Sequence, residues 1–228
     1  MDKIIKKSID KSKTILKRLI KEQEKAKSTT LKNLLAGEIE AYFALGESLN
    51  NCVSILDKAQ AIFHHNISDS CSLAQHLTNR AEEIKSTNAY GEAHKVLTEI
   101  KDFIDLLQQE NNVQIKCLNI SVACCELFSN ATQRNPAKWD KMVAEIAVIW
   151  AEFVLGYVPN ISIITDIGFY IFDTLKAIKK YTQEVPNYKT TDGEISLIEK
   201  HTAIMKTVTA FFNRITTEVT TLINETVV

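Results

Sequence analysis

The chain has 228 residues, of which 45% are hydrophobic and 24% charged, a balance ordinary for a soluble globular protein. Its net charge of −1 is unevenly distributed, because residues 1–27 carry +6 and the remainder carries −7. Only six Gly and three Pro occur, which excludes a turn-rich fold. The sequence therefore predicts an all-α protein: one elongated helical-bundle domain over residues 1–228, with six to eight helices.

The cysteine pattern excludes a disulfide framework and suggests a reducing compartment. The chain contains five cysteines, an odd number at irregular spacing: Cys52, Cys71, Cys117, Cys124 and Cys125. A signal peptide requires a long apolar run after its basic residues, and no such run follows the early lysines here. We predict a chain that is cytoplasmic as synthesised. Secretion without a cleaved signal and association with a membrane remain open alternatives.

The first predicted helix, over residues 2–27, is basic and amphipathic. Lysines occupy one side of this helix, and the apolar residues fall on the other side at helical spacing: Ile4, Ile5, Ile9, Ile15, Leu16, Leu19 and Ile20. A helix of this kind lies on an anionic membrane surface in some proteins. The alternative is an ordinary bundle helix with a solvated lysine face.

Ser28-Thr29-Thr30 predict a helix cap or a break after the first helix. A heptad pattern marks the second predicted helix, over residues 31–65. Apolar residues repeat every seven positions in four successive steps, at Leu35, Tyr42, Leu49, Leu56 and Phe63. This seam is a candidate surface for binding another protein. Asn66 to Asp69 predict an interruption after it, and the polar residues 108–112 predict a loop or an exposed turn further on.

The most apolar part of the chain runs from Met142 to Ile178 and predicts a helical hairpin. Only five of its 37 residues are charged. Asn135 and Pro136 form a helix start ahead of it, since Asn caps and Pro occupies the first helical position. The connection between the arms is predicted at Gly156-Tyr157-Val158-Pro159-Asn160, where glycine ends one helix and proline cannot continue it.

Four acids are placed symmetrically about the centre of this hairpin. Glu152 and Asp166 lie seven residues from Pro159, and Glu145 and Asp173 lie fourteen residues from it. Arms that fold back antiparallel bring each pair level, and we predict that the acids form the polar face of the hairpin. They face either each other or water, because the rotation of the arms is open at this stage.

The aromatic side chains of the hairpin are candidates for contact with lipid or with a partner. They are Trp150, Phe153, Tyr157, Phe169, Tyr170 and Phe172. An apolar hairpin, with the segments Ala147-Val148-Ile149-Trp150-Ala151 and Ile161-Ser162-Ile163-Ile164, is set between long helices. This layout resembles that of the helical pore-forming toxins. The resemblance implies a soluble bundle that shelters the hairpin until it meets a membrane. The competing interpretation is the central helix pair of a soluble bundle.

No pattern in the sequence indicates catalysis. It contains no Gly-rich phosphate loop, no His-Glu-x-x-His, no Cys-x-x-Cys and no nucleophile elbow. The positions three after Glu145 and Glu152 are Val148 and Leu155, so the Glu-x-x-His of di-iron bundles is absent. Nor do aromatic residues interleave the basic N-terminus, as nucleic-acid binding would favour.

The sequence therefore predicts a non-enzymatic protein without a cofactor, a catalytic site or a metal site, and without a nucleic-acid partner. We expect the protein to interact with a membrane, such as an anionic one, or to form pores through the hairpin. The alternative is a cytosolic scaffold or inhibitor that binds another protein through the heptad helix. Assembly into a homo-oligomer is compatible with both expectations.

Overall fold

The structure is a computed structural model that describes residues 2–85, 90–155, 162–183 and 191–226. Within these ranges the fold is all-α, as predicted, with six α-helices and one short 3₁₀ turn. The helices are α1 Asp2–Lys25, α2 Thr29–Lys85, α3 Tyr90–Phe128, α4 Pro136–Leu155, α5 Ser162–Gln183 and α6 Thr191–Thr226, and the 3₁₀ turn Ser129–Thr132 precedes α4.

Two predicted helix starts are confirmed by the hydrogen bonds that cap them. Ser28 precedes α2, and its Oγ accepts a hydrogen bond from the backbone N–H of Leu31 at 3.1 Å. Asn135 precedes α4, and its Oδ1 accepts one from the backbone N–H of Lys138 at 3.3 Å. Pro136 is the first residue of α4, where its missing N–H costs no intrahelical bond.

The interruption predicted at Asn66 to Asp69 is wrong, because α2 continues through these residues to Lys85. The hydroxyl of Ser70 donates to the carbonyl oxygen of Asn66 at 2.8 Å, and that of Ser72 donates to the carbonyl oxygen of Ser68 at 3.0 Å. The serines thus bond back to their own helix and do not cap a new one. The loop or turn predicted over residues 108–112 is likewise part of a helix, α3.

The chain divides into two compact units. One comprises residues Met1–Leu56 and Ile120–Val228, and the other comprises Asp57–Asn119. The first part of α2 and the last part of α3 belong to the first unit, and the rest of both helices belongs to the second. The single elongated domain stays a prediction.

The core of the first unit lies between the N-terminal half of α2, the end of α3 and the helices α4 to α6. Helix α5 packs against both α4 and α6. The rings of Phe128 and Phe211 are 4.8 Å apart, and Phe212 joins them edge-on to Phe128. The thiols of Cys52 and Cys125 meet at 3.6 Å in this core, and both are buried.

The second unit contains the C-terminal half of α2 and most of α3. Ile104, Ile115 and Leu118 of α3 are buried, as is Phe63 of α2. The side-chain amide of Gln60 donates to Asn119 Oδ1 at 2.5 Å.

Candidate functional site

The two arms of the predicted hairpin, α4 and α5, pack directly against each other. Gly168 marks a close approach: a Cβ atom at this position would overlap the indole ring of Trp150. Trp150 and Gly168 lie nine residues before and nine residues after Pro159, as expected for antiparallel arms. The predicted connection Gly156–Asn160, which includes Tyr157 and Pro159, lies outside the described residues.

The four acids do not face each other across the hairpin. At about 100° per residue, Glu145 and Glu152 lie roughly 140–160° around α4 from Trp150, which contacts α5. Asp166 and Asp173 lie equally far around α5 from Gly168, which contacts α4. The pairs therefore point away from each other, to opposite flanks of the hairpin.

The environment of the acids agrees with these directions. Glu152 and Asp173 are exposed, and Glu145 and Asp166 are half-buried. Glu145 lies 3.5 Å from the ammonium group of Lys141 on the preceding turn of α4. The acids thus border the hairpin on two sides and do not line a shared interior.

Between these acidic flanks, the outward side of the hairpin is apolar except near its base, where the exposed Lys176 lies one turn after Phe172. Phe169 and Phe172 are 63% and 61% exposed, large fractions for phenylalanine side chains. Exposed small and aliphatic residues of α4 belong to the same surface. We call this surface the outer face and define it by Ala144, Ala147, Val148, Ala151, Val154, Phe169 and Phe172.

The other described aromatic residues of the predicted contact set, Trp150, Phe153 and Tyr170, contact neighbouring side chains of the bundle. Phe153 is buried, and its ring lies 5.4 Å from the half-buried ring of Trp150. The hydroxyl of Tyr170 donates to Glu218 of α6 at 2.7 Å, and the guanidinium of Arg214 lies 5.1 Å from the same ring. The hydrogen bond to Glu218 raises the pKa of Tyr170.

The heptad residues of α2 also lie in the interior. All five are buried: Leu35, Tyr42, Leu49, Leu56 and Phe63. Their side chains stabilise the fold, so a partner would reach them only after a rearrangement of the surrounding helices.

A buried cluster of charged side chains lies beside the start of α4. Glu38 of α2 and His201 of α6 are fully buried, and Glu38 Oε1 lies 2.5 Å from His201 Nδ1. Arg134 donates two hydrogen bonds to the Glu38 carboxylate, one of them from Nε at 2.8 Å, and a third to Glu22 of α1 at 3.0 Å. Trp139 of α4 stacks on the imidazole ring with the centroids 5.7 Å apart.

The pKa values in the cluster reflect a competition between burial and hydrogen bonding. Burial alone raises the pKa of Glu38, but the hydrogen bonds from His201 and Arg134 outweigh it, so the pKa is lowered. For Arg134, burial lowers the pKa, whereas the bonds to Glu38 and the charge of Glu22 raise it, with a net increase. The ionised forms of both groups are therefore favoured.

The sequence reasoning missed this cluster, although the sequence holds a weak signal of it. Glu38 lies three residues after Leu35 and four before Tyr42, on the apolar side of α2. His201 lies three residues after Ile198 and four before Met205, on the apolar side of α6. A charged residue in an apolar stripe is seldom buried unless it has a partner. The positions alone do not identify that partner.

Other kinds of site receive no support from the residues described. No group of three His, Cys, Asp or Glu side chains there has the arrangement of a metal site. None of the helices in the described ranges combines the length and the apolar character of a membrane-spanning segment. Burial raises the pKa of the Cys117 thiol to about 12, and the pKa of Cys125 is raised by its hydrogen bond with Cys52 and by burial.

No protein-family model, curated protein or solved structure matches the chain.

Proposed function

We propose that the protein is a non-enzymatic binding protein whose outer face binds the interfacial region of a lipid membrane. The observation that carries this proposal is the exposure of Phe169 and Phe172 on neighbouring turns of α5. Large apolar side chains that lie next to each other on the solvent-exposed surface are typical of surfaces that bind a partner or a membrane.

The exposed phenylalanines predict weak and reversible binding. Burying one large apolar side chain contributes about 1.5–3 kcal/mol, so two that are some 60% exposed contribute about 2–4 kcal/mol together. A single myristoyl chain contributes more and still binds only marginally. The outer face therefore needs a second source of attraction for stable binding.

Helix α1 is the candidate for that second source. Residues 1–27 carry a net charge of +6, and each Lys or Arg near an anionic surface contributes about 1 kcal/mol. The acidic flanks of the hairpin oppose this attraction, because they repel anionic headgroups. Comparing anionic with zwitterionic vesicles therefore separates the contribution of charge from that of apolar contact.

The test is co-flotation with vesicles of the double variant Phe169→Ser/Phe172→Ser. We expect its affinity for the vesicles to fall roughly 30- to 900-fold, which corresponds to the loss of about 2–4 kcal/mol. The matched control is Phe43→Ser, because Phe43 on α2 is 57% exposed but lies outside the outer face. The control is expected to bind like the unchanged protein.

Two results would contradict the proposal: failure of the unchanged protein to float with either vesicle type, or an equal loss in the Phe43 control. Release of an entrapped dye, measured on the same vesicles, tests pore formation. If release occurs and depends on Phe169 and Phe172, the function extends from surface binding to a pore. Chemical cross-linking on the vesicles then shows whether several copies assemble.

Protein binding is the second candidate, and an exposed stripe on α3 favours it. Val96, Ile100, Phe103 and Leu107 lie at helical spacing within the second unit, and all four are exposed. This surface is available without rearrangement, in contrast to the buried heptad residues of α2. Pull-down of a stable partner that is lost on Phe103→Ser would support this candidate. Loss on Leu49→Asp without unfolding would instead support the heptad helix.

A further inference from the structure

The buried charge cluster connects the base of the hairpin to the rest of its unit. Arg134 and Trp139 lie on either side of the start of α4, the first arm of the hairpin. Arg134 bonds to Glu38 of α2 and Glu22 of α1, whereas Trp139 stacks on His201 of α6. The indole N–H of Trp139 also donates to the carbonyl oxygen of Gln133 at 2.7 Å. Contacts from three other helices thus converge on this one end of α4.

While Glu38 is ionised, the hydrogen-bond partners of His201 favour a cationic ring. Its Nδ1 lies 2.5 Å from Glu38 Oε1, and its Nε2 lies 2.8 Å from the carbonyl oxygen of Ala131. An ionised carboxylate and a backbone carbonyl only accept hydrogen bonds, so both ring nitrogens must carry hydrogen for both bonds to form. The nearly parallel indole of Trp139, inclined by 8°, presents its electron-rich face to this cation.

The ionised cluster holds two cations and two anions, with a further cation at its edge. With His201 cationic and Glu38 ionised, the cations His201 and Arg134 stand against the anions Glu38 and Glu22. Arg18 of α1 approaches Glu22 at 3.6 Å from the solvent side. Glu38 is the fully buried one of the two anions, and it is the anion that both His201 and Arg134 contact.

We propose that this cluster is a charge latch that keeps the base of α4 closed against α6 and opens when either Glu38 or His201 becomes neutral. Protonation of Glu38 leaves His201 and Arg134 as adjacent cations that repel each other, and the added proton occupies a carboxyl oxygen that accepted a hydrogen bond from one of them. Loss of the His201 proton leaves one ring nitrogen without hydrogen facing an acceptor. Either change converts a satisfied buried contact into an unsatisfied one.

The lowered pKa of Glu38 determines how acidic the solution must become before the latch opens. Because the carboxylate is stabilised as the anion, the latch stays closed below the pH at which ordinary glutamates are protonated, and it opens only at more acidic pH. An opened latch frees the first arm of the hairpin from α6. The use of that freedom in membrane binding rests on the function proposed above, whereas the latch itself does not.

The first test is NMR of the imidazole of His201 in the unchanged protein at neutral pH. We expect both ring nitrogens to show the ¹⁵N shifts of protonated nitrogens. A neutral tautomer would overturn the proposal, and this result does not depend on any variant folding.

The second test is hydrogen exchange without lipid, corrected for the intrinsic effect of pH. We expect acidification to remove protection from residues 136–146 and 198–205 before residues 212–222, which lie further along α6. Glu38→Gln and His201→Gln should each remove that protection at neutral pH. The double variant should be no worse than either single variant, because the two side chains act as one unit.

The matched control is His65→Gln, because His65 forms an exposed contact with Asp69 at 3.4 Å. It should leave the exchange pattern unchanged. Additive losses in the double variant, or simultaneous loss of protection in all three segments, would overturn the latch. Since no vesicles are present, the latch and the lipid binding can fail separately.

Discussion

Because α4 packs against α5 at Gly168, we expect the substitution of Gly by Ala to affect stability differently at two glycines, Gly168 and Gly46. Gly168 is in contact with the indole of Trp150, whereas a Cβ at Gly46 of α2 would have nothing within 4 Å. Both glycines lie in helix interiors, where replacing Gly with Ala stabilises by about 0.8–1 kcal/mol through backbone entropy and helix propensity. Only at residue 168 does the added methyl group meet another side chain.

We expect Gly46→Ala to stabilise the protein and Gly168→Ala to destabilise it or leave it unchanged. Overpacking costs about 1–3 kcal/mol, which, set against the gain of about 1 kcal/mol, leaves a net change from roughly zero to a loss of about 2 kcal/mol. For a chain of this size, 1 kcal/mol shifts Tm by about 2–4 °C. Gly46→Ala should therefore raise Tm by a few degrees, and Gly168→Ala should lower it or leave it in place.

The assay is thermal unfolding followed by circular dichroism, with urea unfolding as a check. In the background Trp150→Leu, the added methyl group has more room, so Gly168→Ala should become less costly, and the double-mutant cycle should show coupling. If Gly168→Ala stabilises as much as Gly46→Ala in both backgrounds, the two arms are not in contact at this point. That result would refute the antiparallel packing of the hairpin at Gly168.

Three further predictions follow from the buried thiols and the charge cluster. Cys71 is exposed and the other four cysteines are buried, so we expect one thiol to react quickly with a disulfide reagent and the other four to react only on unfolding. Fast reaction of a second thiol would contradict this, as would a fast reaction that persists in the variant Cys71→Ser. Arg134→Met should cost about 3–5 kcal/mol in urea unfolding, because it leaves a buried carboxylate short of partners, whereas Arg80→Met, which removes an exposed ion pair with Glu83, should cost at most about 1 kcal/mol. Because the pKa of Glu38 is lowered in the folded state, its carboxylate contributes stability that is present above the unfolded pKa of about 4.3 and is lost as pH falls through the folded pKa. Glu38→Gln should therefore flatten this part of the curve of stability against pH. An unchanged slope would show that Glu38 does not make this contribution.

Local signals in the sequence were sufficient for several elements of the fold. Asn135 and Pro136 predicted the start of α4, because capping and the fixed proline backbone depend on neighbouring residues alone. Ser28 marked the start of α2 for the same reason. The prediction at Asn66 to Asp69 was wrong because serine hydroxyls also bond to the carbonyl four residues earlier within a helix, and sequence does not distinguish the two uses.

The outer face could be predicted only in part. The symmetry of the hairpin about Pro159 predicted which residues are level, and the Trp150–Gly168 contact agrees with that register. It did not predict the rotation of the arms, which places Phe169 and Phe172 in solvent and Phe153 in the core. Rotation depends on the shapes of the neighbouring helices, α6 above all, and those shapes are not encoded within the hairpin.

By itself, the sequence determined the helical class, the capped starts of α2 and α4, the heptad spacing of α2 and the apolar arms of the hairpin, because each depends on residues close together along the chain. The burial of the heptad residues, which the sequence offered as a binding surface, was decided by the packing of the helices. Only the tertiary structure decided the directions of the four acids and the partners of Glu38 and His201. Glu22, Glu38, Arg134 and His201 are separated by up to 179 positions and share no spacing. Their association follows from the packing of the helices, since a buried charge is stable only where the fold brings its counter-charge to it.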